Sequence, residues 1–142
     1  MLFDQTLEAK RTPAGMPAPG YISSRFGGRT DPFGRGWAHH GGIDIDANMG
    51  DPVTAAAEGV VSFSGWRNGY GNVVEIDHGN GYKTRYAHNQ ANLVKAGDVV
   101  RAGQRIAKVG STGRSTGSHL HFEVKLNGRQ VNPRQYLEKV RG

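Results

Sequence analysis

The stretch His119-Leu120-His121-Phe122-Glu123-Val124-Lys125-Leu126 alternates polar and apolar residues without a break. Strict alternation predicts a β-strand that buries the four apolar side chains on one face and turns both histidines to the other. Two such imidazoles stand roughly 6.5 to 7 Å apart at Cα, so one could bind a metal while the other reaches a water molecule beside it. A solvated strand face that happens to carry two histidines would give the same pattern.

Outside this strand the chain consists of short apolar segments separated by glycine turns. Turn signals about every 8 to 12 residues are typical of a sheet-based sandwich or open barrel, so we expect an all-β domain. The Gly79-Asn80-Gly81 and Asn127-Gly128 turns predict hairpins, because Asn and Gly tolerate the positive φ that tight hairpin turns require. Residues 133–140 predict a short C-terminal helix with Pro133 in its first turn. The remaining predicted strands are residues 21–26, 42–46, 52–57, 59–66, 72–78, 82–88, 98–103 and 105–110.

The composition limits the classes of protein that the chain can belong to. A length of 142 residues suits one domain, and the absence of cysteine excludes disulfide scaffolds and thiolate metal sites. No apolar run approaches the ~18 to 20 residues that cross a bilayer. The formal net charge of +6 favours anionic partners, but the basic residues are dispersed and no nucleic-acid-binding tail is visible.

The first twenty residues differ in character from the rest. They contain three prolines among small residues, and X-Pro steps favour extended backbone. We therefore expect residues 1–20 to be a linker or N-terminal extension, with a possible helical turn at 2–10, and residues 21–142 to form the domain. No charged segment followed by an apolar one is present, so no signal peptide is predicted in this chain.

A second group of candidate metal ligands surrounds Gly41-Gly42. His40 and Asp44 would be roughly 13 Å apart in a straight strand, but the glycine pair can bend the chain and bring them together. His39 and Asp46 compete with them by sequence, either at the rim of a site or as simple surface groups.

His88 is the remaining candidate for chemistry. It shares the alternation of Tyr82, Thr84 and Tyr86, so the hairpin could carry it toward a groove. His78 closes the preceding strand, and we expect it to cap the turn rather than to take part in catalysis. Two histidines and one carboxylate as ligands, with two further histidines nearby, would make a catalytic-type zinc site suited to hydrolysis of an acyl bond, most naturally a peptide.

Several motifs in one order resemble the lysostaphin-like, LytM-type zinc endopeptidases of bacterial cell walls. The resemblance covers about residues 20 to 137. It rests on His40-x3-Asp44, Tyr86-Ala87-His88, the Ser115–Glu123 stretch, Ser24-Arg25-Phe26-Gly27, Gly69-Tyr70-Gly71-Asn72 and Gly110-Ser111-Thr112-Gly113.

The resemblance implies a role for each candidate. His40, Asp44 and His121 would bind one Zn²⁺, and His88 and His119 would be the catalytic pair that activates water and stabilises the oxyanion. The fold implied is an antiparallel sheet forming an open groove, lysostaphin-like and barrel-sandwich-hybrid-like, with glycine-rich loops at about 27–39, 89–97 and 110–118 as walls.

The resemblance also implies a substrate and a location. Peptide crosslinks of peptidoglycan would be cut in the periplasm or cell envelope, with regulation by a segment or protein outside this chain. The stretch 26–33 looks like the Gram-negative form, which favours the D-alanyl link to a diamino acid over glycyl-glycine bridges.

Two departures and two alternatives accompany the resemblance. Asn89 stands where Leu often follows the Tyr-x-His histidine, and Ser118 stands where Pro often precedes the His-x-His pair; either could alter the groove wall.

Family members that have lost metal ligands activate cell-wall amidases without hydrolysis, but this chain keeps all five positions. A lipoyl- or biotinyl-type carrier would need a lysine at a hairpin tip, whereas Lys83 lies on the strand.

Overall fold

The computed structural model describes residues 9–24, 26–30, 37–113 and 117–139, and for residues 24, 28–30 and 37–40 it describes the backbone alone. These parts contain thirteen strands and a four-residue C-terminal helix, Arg134–Leu137. The strands are β1 Tyr21–Ser24, β2 Gly27–Thr30, β3 Trp37–His40, β4 Ile43–Asp46, β5 Pro52–Thr54, β6 Gly59–Arg67, β7 Gly71–Asp77, β8 Tyr82–Asn89, β9 Ala91–Asn92, β10 Val99–Val100, β11 Arg105–Lys108, β12 His119–Leu126 and β13 Arg129–Val131.

One large antiparallel sheet dominates the fold. Its strand order is β1-β4-β12-β8-β7-β6-β10, and β13 pairs with β12 as an eighth strand. A three-stranded sheet has the order β5-β11-β9, and β2 and β3 form a separate two-stranded sheet. Strand β12 lies between β4 and β8, so its side chains have neighbours from both strands.

The hydrophobic core joins the inner face of the large sheet to the three-stranded sheet. Phe122 and Tyr86 lie opposite each other on β12 and β8, with ring centroids 5.3 Å apart, and both are fully buried. Ile43, Val53 and Ile106 extend the same buried cluster across the strands of both sheets. The large sheet therefore has one apolar face fixed in the core and an opposite face with polar side chains from β4, β8 and β12.

The predicted hairpins are confirmed. Strands β7 and β8 pair across the Gly79-Asn80-Gly81 turn, and β12 and β13 pair across Asn127-Gly128. The φ angles of Asn127 and Gly128 are 51° and 84°, which is the left-handed pair that a type I′ hairpin turn requires.

All nine predicted strands are present, and the C-terminal helix is confirmed over a shorter span. The prediction of a glycine-rich loop at 27–39 is wrong in part, because residues 27–30 and 37–40 pair as strands β2 and β3. The prediction of a loop at 89–97 is also wrong in part, because Ala91–Asn92 pair with β11 as strand β9. Residues 31–36 and 114–116, which belong to two of the predicted groove walls, lie outside the described residues.

The segment before β1 contacts the domain closely. Residues 9–11 are helical, and Pro13, Pro17 and Ala18 are buried. Backbone hydrogen bonds join Thr54 N to the Pro17 carbonyl and Ala14 N to the Ala56 carbonyl. The boundary between an N-terminal extension and the domain at residue 20 stays a prediction. Within the described parts of the chain, no helix is long and apolar enough to cross a membrane.

Candidate active site

Asp44 and His121 face each other across neighbouring strands. They are direct partners in the β4–β12 register, on the polar face of the large sheet. His121 Nδ1 lies 2.8 Å from Asp44 Oδ1, and the two side chains are mostly covered. Two of the three predicted ligands are therefore brought together by strand pairing alone.

The other nitrogen of His121 faces a second carboxylate. His121 Nε2 lies 2.8 Å from Glu123 Oε2, and Glu123 is 3% exposed. Burial opposes the charged imidazole, but the hydrogen bonds to Asp44 and Glu123 and the attraction of both carboxylates outweigh it and raise the pKa of His121 to about 9. Burial also opposes ionisation of Glu123, yet its contacts with His121 and Arg85 lower the pKa of the carboxyl.

His119 lies on the same strand face as His121, as the alternation predicts. Its Nδ1 is 3.0 Å from the Gly117 carbonyl, so a proton on that nitrogen is donated to the backbone. Its Nε2 is 3.8 Å from Asp44 Oδ1. The ring thus stands beside the Asp44–His121 pair without replacing either member of it.

His88 reaches the site by a route that alternation does not predict. The expectation that it shares a groove-facing side with Thr84 and Tyr86 is wrong, because those two side chains point into the core. The φ of His88 is 64°, a left-handed conformation that turns its side chain to the opposite face. Its ring centroid lies 5.0 Å from that of His119 and 6.0 Å from that of His121.

Thr112 fixes the ring of His88. His88 Nδ1 lies 2.7 Å from the Thr112 carbonyl, which accepts the proton of that nitrogen and leaves Nε2 as the site of proton exchange. The Thr112 hydroxyl donates to the Asn89 carbonyl at 2.7 Å and accepts from the Asn72 amide at 3.1 Å. Burial is the largest cause of a lowered pKa for His88, so the imidazole is neutral at neutral pH.

The residues around Gly41-Gly42 are positioned by close packing. Neither glycine has a positive φ; a Cβ on Gly42 would strike the Phe122 carbonyl, and one on Gly41 would meet the Gln130 amide. His40 ends β3 at the near side of this connection, but its side chain and that of His39 lie outside the described part. Whether His40 joins Asp44 stays a prediction.

Asp46 and His78 have partners away from the site. Asp46 hydrogen-bonds the hydroxyl of exposed Tyr21, and this contact raises the pKa of that tyrosine. His78 is buried, with Nδ1 2.6 Å from the Glu58 carbonyl and Nε2 2.9 Å from Thr84 Oγ1. Its role is structural, although the ring contacts a neighbouring segment and strand rather than the turn itself.

The two departures from the family pattern, Asn89 and Ser118, both donate hydrogen bonds to backbone carbonyls. Asn89 is fully buried and donates from Nδ2 to the Tyr86 carbonyl at 3.0 Å. Ser118 donates to the Ala47 carbonyl at 2.9 Å, which ties the residue before His119 to the end of β4.

The sequence analysis does not single out Glu123 or the two residues that hydrogen-bond it, Tyr70 and Arg85. Tyr70 hydroxyl and Arg85 NH1 both lie 3.0 Å from the Glu123 carboxylate. The available signal was the alternation itself, because Glu123 occupies the next position after His121 on the polar face. Tyr70 and Arg85 are distant in sequence, and no local pattern joins them to Glu123.

The donor set fits a zinc ion. Carboxylate oxygen and imidazole nitrogen are both ordinary zinc ligands, and in a tetrahedral site two such atoms stand about 3.3 Å apart. Asp44 Oδ1 and His121 Nδ1 are 2.8 Å apart, a hydrogen-bond distance, so the two atoms would separate by about half an ångström to bind one ion. Among the side chains that the structure describes, no group of three or more candidate ligands is found; His40 is not one of those side chains.

Comparison with known proteins identifies the family of the chain. The model of peptidase family M23 matches residues 38–133, which include all five candidate residues. The chain belongs to peptidase family M23. Among solved structures, a zinc-containing peptidase from Vibrio cholerae superposes with a TM-score of 0.77 at 38% identity, over 92% of this chain and 39% of that one. The antimicrobial peptidase lysostaphin from Staphylococcus simulans gives 0.73 at 34% identity, over 84% and 49%. The lysostaphin-like fold is therefore confirmed for this M23 domain.

Curated relatives of this M23 domain include both hydrolases and an activator. DD-carboxypeptidase/endopeptidase Mpg of Neisseria meningitidis serogroup B is 53% identical over 112 residues, covering 79% of this chain and 26% of that protein. Murein hydrolase activator NlpD of Escherichia coli K12 is 43% identical over 106 residues, covering 74% and 28%. The chain thus spans about a quarter of the length of these relatives.

Proposed function

We propose that the domain is a zinc-dependent endopeptidase that hydrolyses peptide crosslinks of bacterial peptidoglycan, of the DD-endopeptidase type. The observation that carries the proposal is the approach of Asp44 Oδ1 to His121 Nδ1 at 2.8 Å, with the rings of His119 and His88 beside them. A mostly covered carboxylate–imidazole pair next to two more imidazoles supplies donors that suit a hydrolytic zinc site.

His40, Asp44 and His121 would hold one Zn²⁺ in this proposal. Bound there, Zn²⁺ would polarise the scissile carbonyl and make a water molecule more acidic. A site with three protein ligands would be of the catalytic type rather than the closed structural type.

His88 and His119 act as the catalytic pair. A neutral His88 whose Nδ1 proton is held by the Thr112 carbonyl accepts a proton at Nε2. His119, with Nδ1 held by the Gly117 carbonyl, presents its Nε2 on the side of Asp44. Together the two imidazoles move the proton from water toward the leaving amine and hydrogen-bond the oxyanion of the tetrahedral state.

The relatives support the substrate class and the location that we propose. Similarity to a DD-carboxypeptidase/endopeptidase supports the D-alanyl crosslink as the bond cut and the cell envelope as the place of action. A net charge of +6 is complementary to an anionic wall polymer. A regulatory segment or partner outside this chain belongs to the same proposal.

Removal and return of the metal tests the mechanism. A chelator should abolish cleavage of purified crosslinked peptidoglycan, and stoichiometric zinc should restore it. Full activity in chelator, with no metal in the protein by elemental analysis, would contradict the proposal.

An activator role is the second candidate, since NlpD is also similar to this chain. It predicts that a zinc-loaded sample cleaves no crosslink by itself yet increases the activity of an added cell-wall amidase. Retention of all five family positions favours hydrolysis.

A further inference from the structure

Glu123 is a buried carboxylate on the polar face of the large sheet, the face that carries Asp44 and His121. The reaction proposed above gives it no role. It is 3% exposed and follows His121 by two positions on β12, so both side chains lie on the same strand face. A buried charge is costly unless hydrogen bonds compensate it, so its partners indicate why it is there.

Four side chains surround this carboxylate. Oε2 accepts from the Tyr70 hydroxyl at 3.0 Å and contacts His121 Nε2 at 2.8 Å. Oε1 accepts from Arg85 NH1 at 3.0 Å and from Gln130 Nε2 at 3.1 Å. With two partners on each oxygen, the carboxylate can neither rotate nor shift without breaking hydrogen bonds.

Arg85 anchors the arrangement to the next strands. Glu75, Arg85 and Glu123 are consecutive partners across β7, β8 and β12. Arg85 Nε lies 2.9 Å from Glu75 Oε2, and the same guanidinium lies 2.9 Å from the Tyr70 hydroxyl through NH1. Arg85 is therefore shared by two carboxylates, of which Glu123 is the one that contacts His121.

We infer that Glu123 is a positioning residue that holds the imidazole of His121 with Nδ1 toward Asp44, and that Tyr70 and Arg85 keep Glu123 in place. The inference rests on the proposed function, because it assigns His121 Nδ1 to the metal. Metal-binding histidines commonly donate their second ring N–H to a carboxylate, which fixes the ring and increases its basicity, and loss of such a partner typically lowers metal affinity by about 10- to 100-fold.

Zinc affinity of the full 142-residue chain is the direct test. We compare wild type with Glu123→Gln, which keeps the shape but removes the charge, by competition with a chromophoric chelator. Urea unfolding of the metal-free proteins reports any damage to the fold. We expect zinc binding to be about 10- to 100-fold weaker in Glu123→Gln.

Glu75→Gln is the matched control. It removes the other carboxylate bound to Arg85, at 16% side-chain exposure, and it makes no hydrogen bond to His121. We expect it to bind zinc within twofold of wild type even where its free energy of unfolding falls. Equal weakening of zinc binding in Glu75→Gln and Glu123→Gln would overturn the inference, as would wild-type affinity in Glu123→Gln.

Tyr70→Phe decides the question if Glu123→Gln does not fold. It removes one hydrogen bond to Glu123 and leaves both carboxylates, so zinc binding should weaken about fivefold. Unchanged zinc binding in Tyr70→Phe would then overturn the inference. A wild-type chain that binds no zinc would contradict the proposed function itself, which is a different result from equal affinities in wild type and variants.

Discussion

His119 and His121 occupy the same strand face but have different surroundings. His121 is bonded to a carboxylate on each ring nitrogen, whereas His119 is bonded to the backbone carbonyl of Gly117 and lies farther from Asp44. Carboxylate partners fix a metal ligand, and a ring beside the ligands suits proton transfer.

This difference predicts opposite effects of two single substitutions. His121→Ala should lose zinc, while His119→Ala should retain zinc and lose turnover by about 100-fold or more. Zinc content by elemental analysis and cleavage of peptidoglycan measure the two effects. An empty site in His119→Ala, with zinc retained in His121→Ala, would reverse the assignment.

At the residue scale, the sequence predicts the direction of side chains that follow regular strand alternation. It does not predict the direction of a side chain whose backbone departs from the strand conformation. His119 and His121 lie on the same face of β12 because every second side chain of a strand points to the same side. The place of His88 does not, because one left-handed residue moves its side chain to the other face of the sheet. Glu123 is visible in the same alternation, but its partners Tyr70 and Arg85 come from other strands and turns.

Two chain segments in close contact position His88: the start of β7 and the loop 110–113. Gly71, the first residue of β7, lies so close to the loop 110–113 that a Cβ on it would be 2.5 Å from Thr112 Oγ1 and 2.6 Å from the Gly113 amide. The amide of His88 donates to the Tyr70 carbonyl at 2.8 Å, and its ring bonds Thr112. Displacement of either segment therefore moves His88.

Gly71→Ala and Gly69→Ala form a matched pair for this contact. Both glycines have positive φ, 67° and 85°, but no atom lies within 4 Å of a Cβ at Gly69. We expect Gly69→Ala to cost about 1 kcal/mol through backbone strain alone. Gly71→Ala should cost about 3 kcal/mol and should also reduce turnover, because Thr112 must shift.

Urea unfolding and cleavage rates, measured at a temperature where both variants are folded, distinguish the two glycines. Equal losses of stability and activity in the two variants would show that the two segments do not constrain each other.

Elements were predicted well where their signal was local. Short segments bounded by glycine turns predict nine of the strands, and Asn-Gly predicts the hairpin turns. The sequence predicts a loop in place of β2 and β3, because Gly27-Gly28 has a low strand propensity. In the structure the two strands pair with each other, and this pairing outweighs the low propensity. Strand β9 has two residues, too few for any period to be detected.

At the scale of the whole molecule, one buried histidine makes stability depend on pH. His78 is 2% exposed, and its ring hydrogen-bonds the Glu58 carbonyl and the Thr84 hydroxyl. Burial is the largest cause of its lowered pKa. In the unfolded chain, His78 has a pKa near 6.5 and therefore binds a proton more readily than it does in the folded chain.

The sign of the effect follows from this difference. The stability that neutral His78 contributes is fully present above about pH 6.5 and is lost as the pH falls below that value toward the lower folded pKa. His78→Gln should be less stable than wild type by about 1 to 3 kcal/mol at pH 8, and the difference should shrink by pH 5. Urea unfolding across this range measures it; a difference that stays constant with pH would contradict the assignment.

The identity of the bond cut tests the central claim most directly. Purified crosslinked peptidoglycan is incubated with the zinc-loaded domain, with His119→Ala as the control, and the released fragments are identified by mass spectrometry. The account predicts monomers cut at the D-alanyl crosslink from wild type and none from the variant. Absence of cleavage at any crosslink by a zinc-loaded wild-type sample would contradict it and favour the activator role.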